Sequence, residues 1–110
     1  MAKARKDRLQ GTLEMLILRT LTQGPTHGYG VAQHIERVSE GVLLVDEGSL
    51  YPALYRLERA GLVDSQWTIS DKNRRAKFYR LTHAGRKQLE KEEEDWARAV
   101  RAVQNILRYA

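Results

Sequence analysis

The sequence predicts a mainly α chain with one small β-hairpin, and three observations carry that prediction. Apolar residues recur at helical spacing in three successive segments before residue 62, and they alternate with polar residues in two short runs after it. A helical period then returns and lasts to the end of the chain. Three helices, a hairpin and a long last helix, in this order, are the layout of a winged helix-turn-helix with a C-terminal extension.

In the first helix Leu9, Leu13, Leu16, Ile17 and Leu21 keep the period and Gly24-Pro25 stops it, so the element is expected from about Leu9 or Thr12 to Thr22. Val31, Ala32, Ile35 and Val38 share one face of a short second helix, which Thr26-His27-Gly28 opens and Ser39-Glu40-Gly41 closes. The third helix places Leu50, Leu54 and Leu57 on one stripe and leaves Ser49, Tyr51, Pro52, Tyr55, Arg56 and Arg59 off it. With Ser49 as N-cap, Pro52 is the third helical residue, whose missing N–H has no intrahelical partner to lose. Regular helix is therefore expected from about Leu50 to Ala60, with Gly61 as its left-handed stop.

Val63, Ser65, Trp67 and Ile69 then alternate with Leu62, Asp64, Gln66 and Thr68, and a second alternating run spans Lys77 to Thr82. Residues Ser70 to Ala76 have the Ser, Asp and Asn content of the loop between two strands. Lys72, Arg74, Arg75, Lys77 and Arg80 lie within nine residues, so the loop is either a solvated basic tip or a wing that neutralises phosphates. Its place directly after a helix with a polar, cationic face favours the wing.

Thr82 suits the N-cap of the last helix, where Leu89, Glu93, Trp96, Val100, Val103 and Leu107 follow at steps of four, three, four, three and four. About 26 helical residues extend roughly 39 Å, more than a small domain covers. Leu89, Trp96, Val100, Val103 and Leu107 are therefore expected to meet a second copy of the chain. Glu94 and Arg98 are spaced to pair, and Glu92 to Asp95 reads as a solvated acidic face. Trp96 is either a packed interface anchor or one wall of a flat apolar ligand slot.

Composition limits the alternatives. At 110 residues and 42% hydrophobic content the chain can build one core, and the expected division is a basic tail (1–8), a winged helix-turn-helix domain (9–82) and a dimerisation helix (83–110). The net charge of +5 fits a polyanionic partner but also plain solubility. Lys3, Arg5, Lys6 and Arg8 form a solvated tail or an arm that touches phosphate. Cysteine is absent and no apolar run approaches a signal or membrane segment, so a cytoplasmic setting is expected, with no membrane partner.

Catalytic constellations are missing. His27, His34 and His83 lack metal-ligand spacing, no carboxylate pair has the context of a general acid and base, and Gly28-x-Gly30 completes no phosphate-binding fingerprint. No enzymatic activity, metal or cofactor is expected. His27 can cap or pack at the mouth of the second helix, and the Tyr29 phenol either reaches phosphate or packs in the core.

Specific segments add a family likeness. Gly11-Thr12-Leu13, Gly24-Pro25-Thr26-His27-Gly28-Tyr29, Gly48-Ser49-Leu50-Tyr51-Pro52-Ala53-Leu54, Arg56-Leu57-Glu58, Gly61-Leu62 and Arg74-Arg75-Ala76-Lys77-Phe78-Tyr79-Arg80-Leu81-Thr82 stand in this order. Over residues 9 to about 107 the chain resembles PadR-type transcriptional regulators, in particular the short subgroup with a single C-terminal helix. The resemblance implies a dimeric, usually repressing, winged-helix DNA binder that responds to a small hydrophobic or aromatic ligand. Many relatives carry an acid after His-Gly-Tyr; here that position is Gly30, so a contact made by the acid does not transfer.

The expected function is thus a homodimeric regulator on a pseudo-palindromic double-stranded DNA operator, released by a small aromatic or hydrophobic effector. Its DNA contacts are expected among Tyr29, Ser49, Tyr51, Pro52, Tyr55 and Arg56, and at the wing residues Lys72, Asn73, Arg74, Arg75 and Lys77. Trp96 is the candidate ligand-binding residue. A winged-helix protein interaction module without DNA binding is the alternative.

Overall fold

The computed structural model describes residues 2–69 and 71–109, with side chains from Thr12 onward. Four helices and three strands follow one another as α1 (Ala2–Leu21), β1 (Thr26–His27), α2 (Gly28–Val38), α3 (Glu47–Arg59), β2 (Val63–Ile69), β3 (Arg75–Leu81) and α4 (His83–Tyr109). This is the winged helix-turn-helix with a long last helix that the periodicities predict. The helix α1 begins ahead of the expected Leu9 or Thr12. Lys3, Arg5, Lys6 and Arg8, expected to form a tail or an arm, fall outside the residues whose side chains are described.

The apolar stripes converge on one core. Ile17, Leu18, Val31, Leu50, Leu54 and Val63 are fully buried there, each large side chain stabilising the fold by about 1.5–3 kcal/mol. Met15, Leu21, Ile35, Leu57, Tyr79, Leu81 and Leu89 complete it. Val38, placed by periodicity on the buried face of α2, lies at its last turn and is exposed.

A second boundary differs from expectation, at the start of α3. The N-cap of α3 is Asp46, not Ser49: its carboxylate accepts from the Ser49 N–H at 2.8 Å, and a negative charge at this end also suits the helix dipole. Pro52 consequently lies inside the helix, where it withholds the bond due to the Gly48 carbonyl. Gly48 is exposed, so water can serve that carbonyl. The other end is as expected: Gly61, at φ 75°, turns the chain, its N–H bonds the Glu58 carbonyl, and the Leu62 N–H returns to the Leu57 carbonyl.

The sheet is antiparallel in the order β1-β3-β2. The strand β1, two residues that pair with Phe78 and Tyr79, is an addition to the expected hairpin. It anchors the inner edge of the wing to the start of α2. Thr82 caps α4 as expected, accepting from the Gly85 N–H at 3.0 Å. A Cβ at Gly85 would lie 2.0 Å from the Leu62 carbonyl oxygen, so the close approach of α4 to the end of α3 depends on glycine.

Candidate nucleic-acid interface

The cap, the proline and the buried stripe together fix which side of α3 faces outward. Leu50, Ala53, Leu54 and Leu57 turn into the core, which leaves Ser49, Tyr51, Pro52, Tyr55 and Arg59 exposed on one side. Arg59, absent from the expected contacts, belongs to this face: its guanidinium donates to the Tyr55 hydroxyl at 3.2 Å and lies 5.8 Å from that ring. Its signal in the sequence was the i,i+4 step from Tyr55. Arg56 stands at the flank of this face, two-fifths of its side chain exposed, and is held toward α1. Its Nε donates to the Glu14 carboxylate of α1 at 2.7 Å, which clamps α3 against α1. Of the six expected contacts ahead of the wing, two are thus engaged by carboxylates of the fold, Ser49 by the cap Asp46 and Arg56 by Glu14 of a neighbouring helix.

Tyr51 is half-exposed, and its ring packs where a Cβ of residue 28 would stand, 2.8 Å from the ring edge, so Gly28 makes room for it. Tyr29 is 64% exposed and stacks beside His27, which excludes the buried alternative for its ring. His27 caps α2 with its ring: Nδ1 accepts from the Gly30 N–H at 2.9 Å, and the ring edge meets Phe78 of β3. Capping through Nδ1 requires that nitrogen to be unprotonated.

The wing stands across a cleft from these groups. Tyr29, Tyr51, Trp67, Lys72, Arg74 and Arg75 are among the residues lining it, in a volume of about 980 Å³. The backbone of Asn73 at the tip is left-handed, φ 57°, a conformation that asparagine tolerates better than most residues. Lys72, Asn73, Arg74 and Arg75 are all exposed. Two neighbouring cations are committed elsewhere. Lys77 donates to Glu58 of α3 at 3.1 Å, and Arg80 forms a two-pronged pair with Asp64 on the opposite face of the hairpin.

Glu58 joins the wing to α3, since its other oxygen accepts from the Ser65 hydroxyl at 2.5 Å. That hydrogen bond first, and then Lys77, hold the carboxyl below its ordinary value against the desolvation that pulls it up. Lys77 is correspondingly raised, chiefly by its bond to Glu58. Neither partner signalled this role in the sequence, because the two strand residues and the helix residue meet only when the hairpin folds over α3.

The last helix offers a second surface. Leu89 is buried in the core of its own chain, so the expected seam loses its first member: at this point α4 still lies over the domain. Trp96, Val103 and Leu107 are exposed and Val100 is half-buried, with Ile106 and Tyr109 exposed beside them. Trp96, Val100 and Val103 line a groove of about 730 Å³ with Thr12 and Met15 of α1. The acidic run is not simply solvated. Glu92 lies at this groove, one oxygen accepting from Gln88 at 3.2 Å and the other buried with no hydrogen-bond partner among the described residues. Glu93, the acidic step in the seam, reaches Arg19 of α1 at 3.6 Å. Arg98 pairs with Asp95 rather than with the expected Glu94, because i,i+3 neighbours share a helix face as well as i,i+4 ones.

Among the described residues no cluster of His, Asp or Glu is placed to hold a metal ion, and no helix is long and apolar enough to cross a membrane. The model of the transcriptional regulator PadR-like family matches residues 17–91. A transcriptional regulator from Clostridium thermocellum superposes with a TM-score of 0.82 at 27% identity, covering 90% of this chain and 96% of its own. A PadR-like transcriptional regulator from Bacillus cereus gives 0.78 at 29% identity, covering 94% and 99%. A transcriptional regulator of Mycobacterium tuberculosis is 34% identical over 77 residues, which span 70% of this chain and 68% of that protein.

Proposed function

The chain belongs to the PadR-like family of transcriptional regulators, a family of DNA-binding proteins and not of enzymes, and we propose that it acts as a homodimeric repressor on a pseudo-palindromic operator. The observation that carries the proposal is the cleft between the outward face of α3 and the wing. Ser49, Tyr51, Pro52, Tyr55 and Arg59 present donors, acceptors and flat apolar surface on a helix that can enter a major groove. Lys72, Asn73, Arg74 and Arg75, joined by Tyr29, grip the flanking backbone, where charge contributes affinity without reading sequence. Lys77 and Arg56 support the site from behind through Glu58 and Glu14.

Trp96, Val100, Val103 and Leu107 are the proposed dimer contacts, with Ile106 and Tyr109 extending the apolar surface. A two-fold dimer through α4 sets two α3 helices to read half-sites about 34 Å apart. Bound across a promoter, such a dimer represses by occlusion. The groove beside Trp96 is the proposed effector site. An indole wall with the unpartnered Glu92 oxygen suits a flat cationic aromatic compound, whose binding between the helices would alter the spacing of the reading heads.

The test is to incubate the protein with sheared genomic DNA of its source organism at moderate salt and sequence what is retained. Enrichment of an inverted repeat supports the regulator. Retention without any shared sequence, or none at low salt, contradicts it.

A further inference from the structure

Trp67 lies on β2 and is 55% exposed, although an indole is among the costliest side chains to leave in water. Its face of the hairpin is fixed by its neighbours. Val63 and Ser65, at the alternate positions toward the base, are turned to the core and to Glu58, so Trp67 looks the same way, across the cleft toward α3. Its register partner is Lys77, which the carboxylate of Glu58 already holds. The diagonal neighbour Arg75 places its guanidinium over the indole, 4.8 Å from the ring centroid.

We propose that Trp67 is a positioning residue for DNA binding: the indole holds the Arg75 guanidinium in a fixed plane on the cleft face of the wing, so that the charge meets phosphate already ordered. An exposed arginine gives up rotamer freedom when it binds phosphate, and one stacked beforehand has less to give up. The indole leaves the charge unchanged, because the stacking is with the ring face and not with a carboxylate. Lys77 contrasts with it on the same strand face, its ammonium being drawn to Glu58. The inference rests on reading the cleft as a DNA interface.

A double-mutant cycle between Trp67→Ala and Arg75→Ala, read by fluorescence anisotropy of a labelled mixed-sequence duplex over a range of salt, tests it. Trp67→Ala should weaken binding by about two- to fivefold, the worth of an exposed cation–π contact, while the slope of log affinity against log salt stays unchanged. Arg75→Ala should flatten that slope by about 0.9 for each protomer bound. In the Arg75→Ala background Trp67→Ala should cost nothing further, and with Arg75 present Trp67→Phe should retain most of the affinity that Trp67→Ala loses. Additive effects, or full affinity in Trp67→Ala with its melting temperature lowered, overturn the inference and leave the indole a hairpin-stabilising residue. Failure of the unaltered protein to bind the duplex at low salt overturns the DNA reading itself, and the inference with it.

Discussion

The wing cations differ in where they stand, and that difference sets the size of an effect. Lys72, Arg74 and Arg75 are exposed at the cleft, Lys77 lines it with its ammonium drawn to Glu58, and Arg80 pairs with Asp64 on the far face of the hairpin. Each phosphate contact contributes about 0.9 to the slope of log affinity against log salt. Alanine at Lys72, Arg74 and Arg75 together should therefore flatten the slope by about 2.7 per protomer and about 5 for a dimer, with operator and random DNA affected alike. Arg80→Ala removes one charge as well, but from the far face and from a pair, so its slope should match that of the parent. Titrating a labelled duplex by anisotropy at several salt concentrations reads both quantities. Equal flattening per charge at Arg80 and at the tip would mean that net charge, and not the wing's geometry, governs binding.

Replacing Glu58 by Gln should lower the melting temperature at neutral pH and flatten the acid side of its pH profile. The folded-state pKa of Glu58 is depressed, so its contribution is complete above the ordinary value of 4.5 and disappears as pH falls through the lower folded value; a parent and variant differing equally at every pH would refute this. Val100→Asp with Val103→Asp should give monomers in sedimentation and lose tight operator binding, whereas aspartates at the exposed Lys87 and Lys91 should leave the dimer intact. Gly85→Ala should destabilise by about 3 kcal/mol or more in denaturant melts, since the added methyl overlaps the Leu62 carbonyl oxygen; a cost below about 1 kcal/mol would show that α4 can shift freely on the domain.

The helices, the hairpin and the core stripe were legible because each depends on a local period. Residues such as Leu50, Leu54 and Leu57 announce their common face whatever they pack against. The cap of α3 is less legible, because Ser49 and Asp46 are both good caps and a later start spares the helix the bond that Pro52 withholds; the carboxylate, which adds charge to the hydrogen bond, prevails. The strand β1 is too short to alternate, and its existence depends on Phe78 and Tyr79 arriving from fifty residues away. The roles of Glu14, Glu58 and Glu92 were hidden for the same reason. An isolated carboxylate in a sequence reads as solvated until the fold brings Arg56, Lys77 or an apolar groove against it. Leu89 shows the limit of a heptad pattern, which marks an apolar stripe but not the point where the stripe leaves one chain for another.

The central claim is that two α3 helices, joined by α4, read the two halves of one operator. Hydroxyl-radical footprinting on a genomic fragment retained by the protein tests it most directly, with the stoichiometry measured on the same complex. The account predicts two protein chains per site and two protected stretches related by a dyad, their centres one helical turn, about 34 Å, or a small multiple apart. A single protected stretch bound by one chain, or uniform protection that ignores sequence, would contradict it.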